Sequence, residues 1–310
     1  MKRFLSILFL TLALSPLAAQ TAAIAPKSKT LDAARLLRDL ETLSADDMEG
    51  RGIGTKGGEK AREYIVRRFN ESGIKPFQNN LVQPFEFTTR DGAKVRGANV
   101  VGFIEGAKYK DKYIVVSAHY DHEGIVKGEI YNGADDNASG TAALFALAEY
   151  FKKNRPAHTI VFAAFDGEES GLRGARAFVA APPVAKEKIA LNVNLDMVSR
   201  SAKRELYAVG TYHYPQLKPA LERAAKISKI KLLLGHDRPE QERDDWTTQS
   251  DHGAFHAQKI PFVYFGVEDH ADYHKPTDDF ANITQEFYVR AVETILDAVK
   301  GLDKDLESRR

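Results

Sequence analysis

The chain has 310 residues, of which 43% are apolar and 28% charged, with a formal net charge of +1. That length suits one large α/β domain, and the near-neutral charge offers no broad basic field for nucleic acid or an anionic membrane. There is no cysteine, which excludes disulfides, thiolate nucleophiles and sulfur-ligated zinc, so any metal must be held by His, Asp and Glu.

The amino terminus reads as a targeting segment. Lys2 and Arg3 precede an apolar run over residues 4–14, and Ser15, Pro16 and the Ala18-Ala19 pair come next, as in a secretory leader and its cleavage region. Residues 1–25 are expected to be a signal peptide. The remainder, about residues 27–305, is then a single secreted or periplasmic domain with no stable membrane anchor, and the simplest assembly is a monomer. No later segment approaches about 18 uninterrupted apolar residues.

Apolar spacing predicts a helix over residues 30–44, where Leu31, Ala34, Leu37, Leu40 and Leu43 share a face. Gly50, Gly52, Gly54, Gly57 and Gly58 come after it. No buried strand precedes them and no Gly-Lys-Ser/Thr ends them, so a phosphate loop is rejected in favour of a flexible loop near a site rim. A helix over 59–71 leads to strands over 82–88, 98–104 and 113–118. Further strands are expected over 159–165, 189–195 and 260–265, separated by helices over 138–153, 172–180 and 215–228, with a last helix over 285–302. Short β-branched apolar runs alternating with helices predict a mostly parallel central sheet with helices on both faces.

The residues just past the end of each buried strand carry the chemistry. Residues 113–118 run into His119-Tyr120-Asp121, 159–165 into Asp166-Gly167-Glu168-Glu169, and 189–195 into Asp196; 260–265 leads to His270 and His274. Ligand sites in such sheets lie beyond the carboxyl ends of the strands, so these residues should meet on one rim. Crowded carboxylates raise one another's pKa, and a divalent cation relieves that repulsion. A nitrogen and oxygen donor set suits zinc, and less decisively manganese or cobalt. A two-metal site needs a bridging carboxylate and a further carboxylate free to accept a proton. There is no Gly-x-Ser-x-Gly turn to support a serine hydrolase.

Six strings then make a specific resemblance. His119-Tyr120-Asp121, the run from Gly133 to Gly140, Phe165-Asp166-Gly167-Glu168-Glu169, Asn194-Leu195-Asp196-Met197, Ser250-Asp251-His252 and His274-Lys275-Pro276-Thr277-Asp278 resemble, in order and spacing, the M28 family of zinc aminopeptidases. The resemblance covers roughly residues 30–300. It implies the zinc-exopeptidase fold, also called phosphorylase/hydrolase-like, and two zinc ions. It assigns Asp135 as the bridging ligand, His119 and Asp196 to one metal, Glu169 and His274 to the other, and Glu168 as general base. Asp121 and Asp278 would orient the two histidines, and Asp135-Asp136 resembles the family's acidic pair with a cis peptide. The implied reaction is hydrolysis of the first residue from a peptide with a free amino terminus.

Other residues stay open. His270 competes with His274 but lacks the x-x-x-Asp pattern after it. Trp246, with Thr247 and His270, is a candidate for the substrate cleft, while a packed loop aromatic is an equal reading of Trp246. His158, His213, His236 and His256 read as surface or packing residues, and His122 and His252 match no ligand position. Rival functions are a single-zinc glutaminyl-peptide cyclase and a carboxypeptidase of the same fold, which would need a basic pocket; Arg200, Arg238 and Arg243 are available. A non-catalytic binding protein is disfavoured because every expected ligand is present.

Overall fold

The computed structural model describes residues 25–307. The leader expected over residues 1–25 lies outside them, apart from its last residue. In chain order the strands are β1 (Lys75–Pro76), β2 (Val82–Thr88), β3 (Lys94–Ile104), β4 (Tyr109–His119), β5 (Gly124–Val126), β6 (Glu129–Tyr131), β7 (His158–Phe165), β8 (Ile189–Leu195), β9 (Glu205–Val209), β10 (Lys231–Leu234) and β11 (Phe262–Gly266). The α-helices are α1 (Ala33–Leu43), α2 (Lys56–Glu71), α3 (Gly140–Lys153), α4 (Arg173–Ala180), α5 (Lys218–Ile227), α6 (His252–Ala257) and α7 (Gln285–Glu307).

One mixed sheet, ordered β1-β3-β7-β4-β8-β11-β9-β10 with β2 also on β3, forms the centre. Its middle pairs, β7–β4, β4–β8 and β8–β11, are parallel, and antiparallel pairing begins on either side, at β3–β7 and β9–β11. These four central strands carry the apolar runs buried on both faces, as βαβ packing requires; at the far edge β10 is parallel to β9. All four therefore end on the same edge. There His119 pairs with Phe165 across β4–β7, and Phe265 with Leu195 across β11–β8, which levels the loops beyond them.

Side-chain alternation divides the core in two. Ile114, Val116 and Ala118 of β4 face the layer of α1, α2, α3, α5 and α7, while Val115 faces α4 and α6. The helices enter where capping groups allow: Asp32 Oδ1 accepts from Arg35 N at 3.0 Å before α1, and Thr55 Oγ1 accepts from Gly58 N at 3.2 Å before α2. The buried guanidinium of Arg68 joins α2 to α1 through a two-point contact with Asp39, at 2.7 and 2.8 Å. Polar residues also run through the second layer. Asn192 Nδ2 donates to Ser117 Oγ, Ser117 Oγ to Asn194 Oδ1, and Asn194 Nδ2 to Ser250 Oγ, at 2.9, 2.7 and 2.9 Å. This chain ties the start of α6 to the sheet directly behind the strand ends.

Candidate metal centre

The last residue of β4 and the loops after β7, β8 and β11 bring His119, Glu169, Asp196 and His274 to one cleft, and a fifth segment between β6 and α3 adds Asp136. Asp136 lies between two groups. Its Oδ1 is 3.4 Å from His119 Nε2, which is 3.2 Å from Asp196 Oδ1. Its Oδ2 is 3.1 Å from His274 Nε2, which is 3.5 Å from Glu169 Oε2. One carboxylate thus faces two half-sites, one oxygen each.

The sequence-based assignment of the bridging position to Asp135 is corrected here. Asp135 is fully buried and turned away: its Oδ1 accepts from Ser199 N at 2.6 Å and Ser199 Oγ at 2.8 Å, and its Oδ2 lies 3.2 Å from His270 Nε2. The cis peptide expected at Asp135-Asp136 is instead at Asp136-Asn137. The physical reason is the irregular turn Ala134–Ser139, in which Asp136 and Asn137 leave helical φ/ψ and consecutive side chains point to opposite sides. His270, the rival of His274, belongs to Asp135 and lines the neighbouring cavity with Arg200.

The outer contacts are also redistributed. Asp278 does not touch His274; its carboxylate accepts from the backbone N–H of Asp135 and of Asp136 at 3.0 to 3.1 Å, so it fixes the turn rather than the imidazole. The acid beside His274 is Glu123, whose Oε1 is 3.5 Å from Nδ1. Asp121 accepts from Glu168 N at 3.0 Å and Glu169 N at 3.3 Å, and its Oδ1 is 3.7 Å from His119 Nδ1. His119 Nδ1 is closer to the Asp121 carbonyl, at 3.1 Å. A carbonyl can only accept, so in the neutral ring Nδ1 carries the proton and Nε2, which faces Asp136 and Asp196, is the atom that would bind a cation.

Two residues given no ligand role stand near the centre, His122 in contact with Glu169 and Asp251 within the field of Glu168 and Asp196. His122 Nδ1 is 2.7 Å from Glu169 Oε1, its ring meets that of His274 edge-on, and its buried Nε2 has no partner. The His-x-x-His spacing from His119 is the sequence signal that could have singled it out. Asp251 is fully buried with neither carboxylate oxygen hydrogen-bonded; the Ser250-Asp251-His252 string marked its position but assigned it no role.

Electrostatics match a centre built for cations. Burial first, then the charges of Asp251, Asp196 and Glu169, push the Glu168 carboxyl well above the carboxylate range. Burial and Asp136 raise Glu169. Burial, with Asp121 and Asp196, raises Asp251 to about 8 despite the opposing pull of His119. The hydrogen bond to Asp136, with Glu169 and Glu123 nearby, raises His274 to about 9 against its partial burial. Burial disfavours charge on His119, but Asp196, Asp121 and Asp136 together raise it well above the usual range. Without a cation the acids must share protons with the imidazoles, and a divalent ion is the natural replacement for those protons. The donor set of two imidazoles and three carboxylates, converging from five segments, fits zinc.

The cleft is lined further by Met197, Trp246, Gln249, Tyr264, Val267 and Tyr273. Trp246 is held by Tyr207, by Tyr264 and by a 3.8 Å stack on His236, and its carbonyl lies 2.8 Å from His252 Nε2. Trp246 is thus both packed and facing the cleft. Thr247 bonds Asp245 and His213 instead of lining the cleft. A larger cleft between β2 and α4 is lined by Phe, Pro, Ala, Val, Asn and Gln, without an ionisable group.

A family model for peptidase family M28 matches residues 99–299, and the chain belongs to that family. The match runs from within β3 into α7 and includes every segment that presents a candidate ligand. Similar proteins include a probable zinc metalloprotease of Pyrenophora teres, 27% identical over 86% of this chain and 58% of its own length. Another from Leptosphaeria maculans is 30% identical over 65% of this chain and 48% of its own. The chain thus spans about half the length of these curated relatives. Among solved structures, a zinc aminopeptidase from Bacillus subtilis superposes with a TM-score of 0.71 at 18% identity, covering 88% of this chain and 96% of that one. A glutaminyl cyclase of Porphyromonas gingivalis superposes with a TM-score of 0.69 at 19% identity, covering 89% and 99%. Both share the single-domain α/β fold.

Proposed function

We propose that this chain is a metal-dependent aminopeptidase. It would hold two zinc ions, one through His119 and Asp196, one through Glu169 and His274, with Asp136 between them. Manganese or cobalt could substitute. When bound, the cation pair supplies an acidified water and a Lewis acid for the scissile carbonyl.

The chain's own residues would do the rest. Glu168, half-buried in the cleft beside the ligands, takes a proton from the attacking water and returns it to the departing amine. Asp121 keeps Glu168 and Glu169 in place through their backbone N–H groups. Trp246 and Tyr264 wall the cleft against water.

The observation that carries the choice of substrate end is the charge of the cleft. Its lining includes five carboxylates, of Asp136, Glu168, Glu169, Asp196 and Asp269, and no Lys or Arg. With Asp136, Glu169 and Asp196 committed to the cations and Glu168 to proton transfer, Asp269 remains to meet the free ammonium of an amino terminus, and no cationic side chain of the lining meets the terminal carboxylate that a carboxypeptidase must hold. A cyclase reading needs one cation, and two ligand pairs on opposite sides of Asp136 favour two. The leader-like residues 1–25 support export as the setting.

The test is a panel of aminoacyl anilides beside an amino-blocked control, assayed with and without chelator. Chelator-sensitive hydrolysis confined to the free-amine substrates is the expected result. Equal turnover of the blocked substrate sinks the exopeptidase assignment.

A further inference from the structure

Arg51 lies beneath the candidate centre. It is 0% exposed, and its guanidinium spends itself on main-chain carbonyls. Nε donates to Tyr120 O at 2.7 Å, Nη1 to Leu43 O at 2.8 Å and Asn132 O at 2.5 Å, and Nη2 to Gly133 O at 2.9 Å. Tyr120 is next in the chain after the candidate ligand His119. Asn132 and Gly133 lead into Asp135-Asp136. One side chain therefore ties together the two loops that present His119 and Asp136, and fastens both to the end of α1. Only arginine offers enough donors in a planar fork for four acceptors at once.

The backbone around Arg51 is shaped for that placement. Glu49, Gly50 and Arg51 are consecutive left-handed residues, with φ of 50°, 65° and 54°, a run that L-residues adopt only when surrounding structure holds it. At Gly50 a Cβ would come within 2.5 Å of both Gly124 O and Tyr131 O, so the β5–β6 hairpin closes over it. A Cβ on Gly57 would lie 2.2 Å from Met48 O, so the start of α2 presses on the same segment from another side. Asn132 Nδ2 adds bonds to Asp46 Oδ1 at 2.7 Å and Asp279 Oδ1 at 2.9 Å. The glycine-rich stretch expected to be a flexible rim loop is a close-packed support below the centre. The guanidinium also sits in the field of Asp136, Asp278, Asp121 and Glu169; burial alone lowers it, to about 10, so it stays charged at neutral pH.

We infer that Arg51 is a positioning residue for the metal cage, setting the spacing of His119 and Asp136 by joining the backbone after one to the backbone before the other. The inference rests on the two-zinc reading above. Loss of a residue that orients metal ligands costs about 10–100-fold in metal affinity. Substrate affinity should change little, because Trp246, Gln249 and Tyr264 sit on segments that Arg51 does not bond.

The experiment is zinc affinity by competition with a chromophoric chelator, on the purified full chain as wild type, Arg51→Met, Arg51→Lys and Leu296→Ala. Leu296 is buried in α7, and its truncation lowers stability without touching the centre. Both Arg51 variants are expected to bind zinc about 10–100-fold more weakly, with kcat at limiting zinc reduced and partly recovered by excess zinc, and KM near wild type. Leu296→Ala should lower Tm and keep wild-type zinc affinity. Wild-type zinc affinity in either folded Arg51 variant overturns the inference, as does an equal loss in Leu296→Ala. If Arg51→Met does not fold, Arg51→Lys decides, because a single ammonium cannot serve four carbonyls. A wild-type chain that binds no zinc defeats the metal reading itself, a separate and recognisable failure.

Discussion

Asp135 and Asp136 are neighbours in the chain and face opposite ways: Asp135 accepts two hydrogen bonds from Ser199, while Asp136 divides its carboxylate between His119 and His274. The pair therefore separates anchoring from ligation. Asp136→Asn should lower zinc affinity by more than the roughly 10–100-fold that loss of an outer partner costs, with activity falling in step. Asp135→Asn keeps one acceptor oxygen toward Ser199 and should lower Tm while retaining most zinc. Metal analysis of the two purified variants checks this; equal zinc loss in both contradicts it.

Glu168 touches neither histidine and lies next to Glu169 in the chain. Glu168→Gln keeps shape and removes proton acceptance. Zinc content should stay at the wild-type level while kcat falls about 10²–10⁴-fold, the usual worth of a positioned acid–base group. A variant with near wild-type turnover removes Glu168 from the mechanism.

The fold is legible in the sequence wherever a periodic signal exists. β2 and β8 begin and end where alternation and apolar runs predict, and four strand-end loops converge as their place in a parallel sheet requires. β9 and β10 escape such a reading because they are short and partly exposed, so their pattern is not that of a buried core strand. The assignment within Asp135-Asp136 goes astray because an irregular turn has no period, and a single residue of rotation exchanges a ligand for an anchor. Arg51 escapes for a related reason: a buried arginine bonded to four carbonyls leaves no mark in composition or spacing.

Zinc binding should release protons. His274 is raised to about 9 in the cation-free centre, chiefly by its hydrogen bond to Asp136, so at pH 7 it carries a proton that a cation must displace. Apparent zinc affinity should climb with pH up to about 9 and level off above it. The same shift bears on folding: a raised histidine pKa stabilises the cation-free fold at pH below its ordinary value of 6.5, and that contribution disappears as pH rises through 9. Calorimetric titration at pH 7 in two buffers of different ionisation enthalpy reads the proton count directly. Zero release contradicts the protonated histidine.

Asp251 supplies a test of the buried acids. Its carboxyl is raised from 3.8 to about 8, first by burial. Between those values the unfolded chain loses its proton and the folded chain keeps it, so Asp251 costs increasing stability as pH rises from 3.8 toward 8. Asp251→Asn removes that cost. The chelator-treated variant should melt above wild type at pH 7.5, with the difference narrowing at pH 5. A lower Tm at pH 7.5 shows that the ionised carboxylate is needed by the fold.

The arrangement around Asp136 is best tested by anomalous diffraction at the zinc edge from crystals soaked in zinc. The account predicts two peaks about 3.5–4 Å apart, one beside His119 and Asp196 and one beside Glu169 and His274, with Asp136 touching both. A single peak, or a pair centred on Asp135, contradicts it.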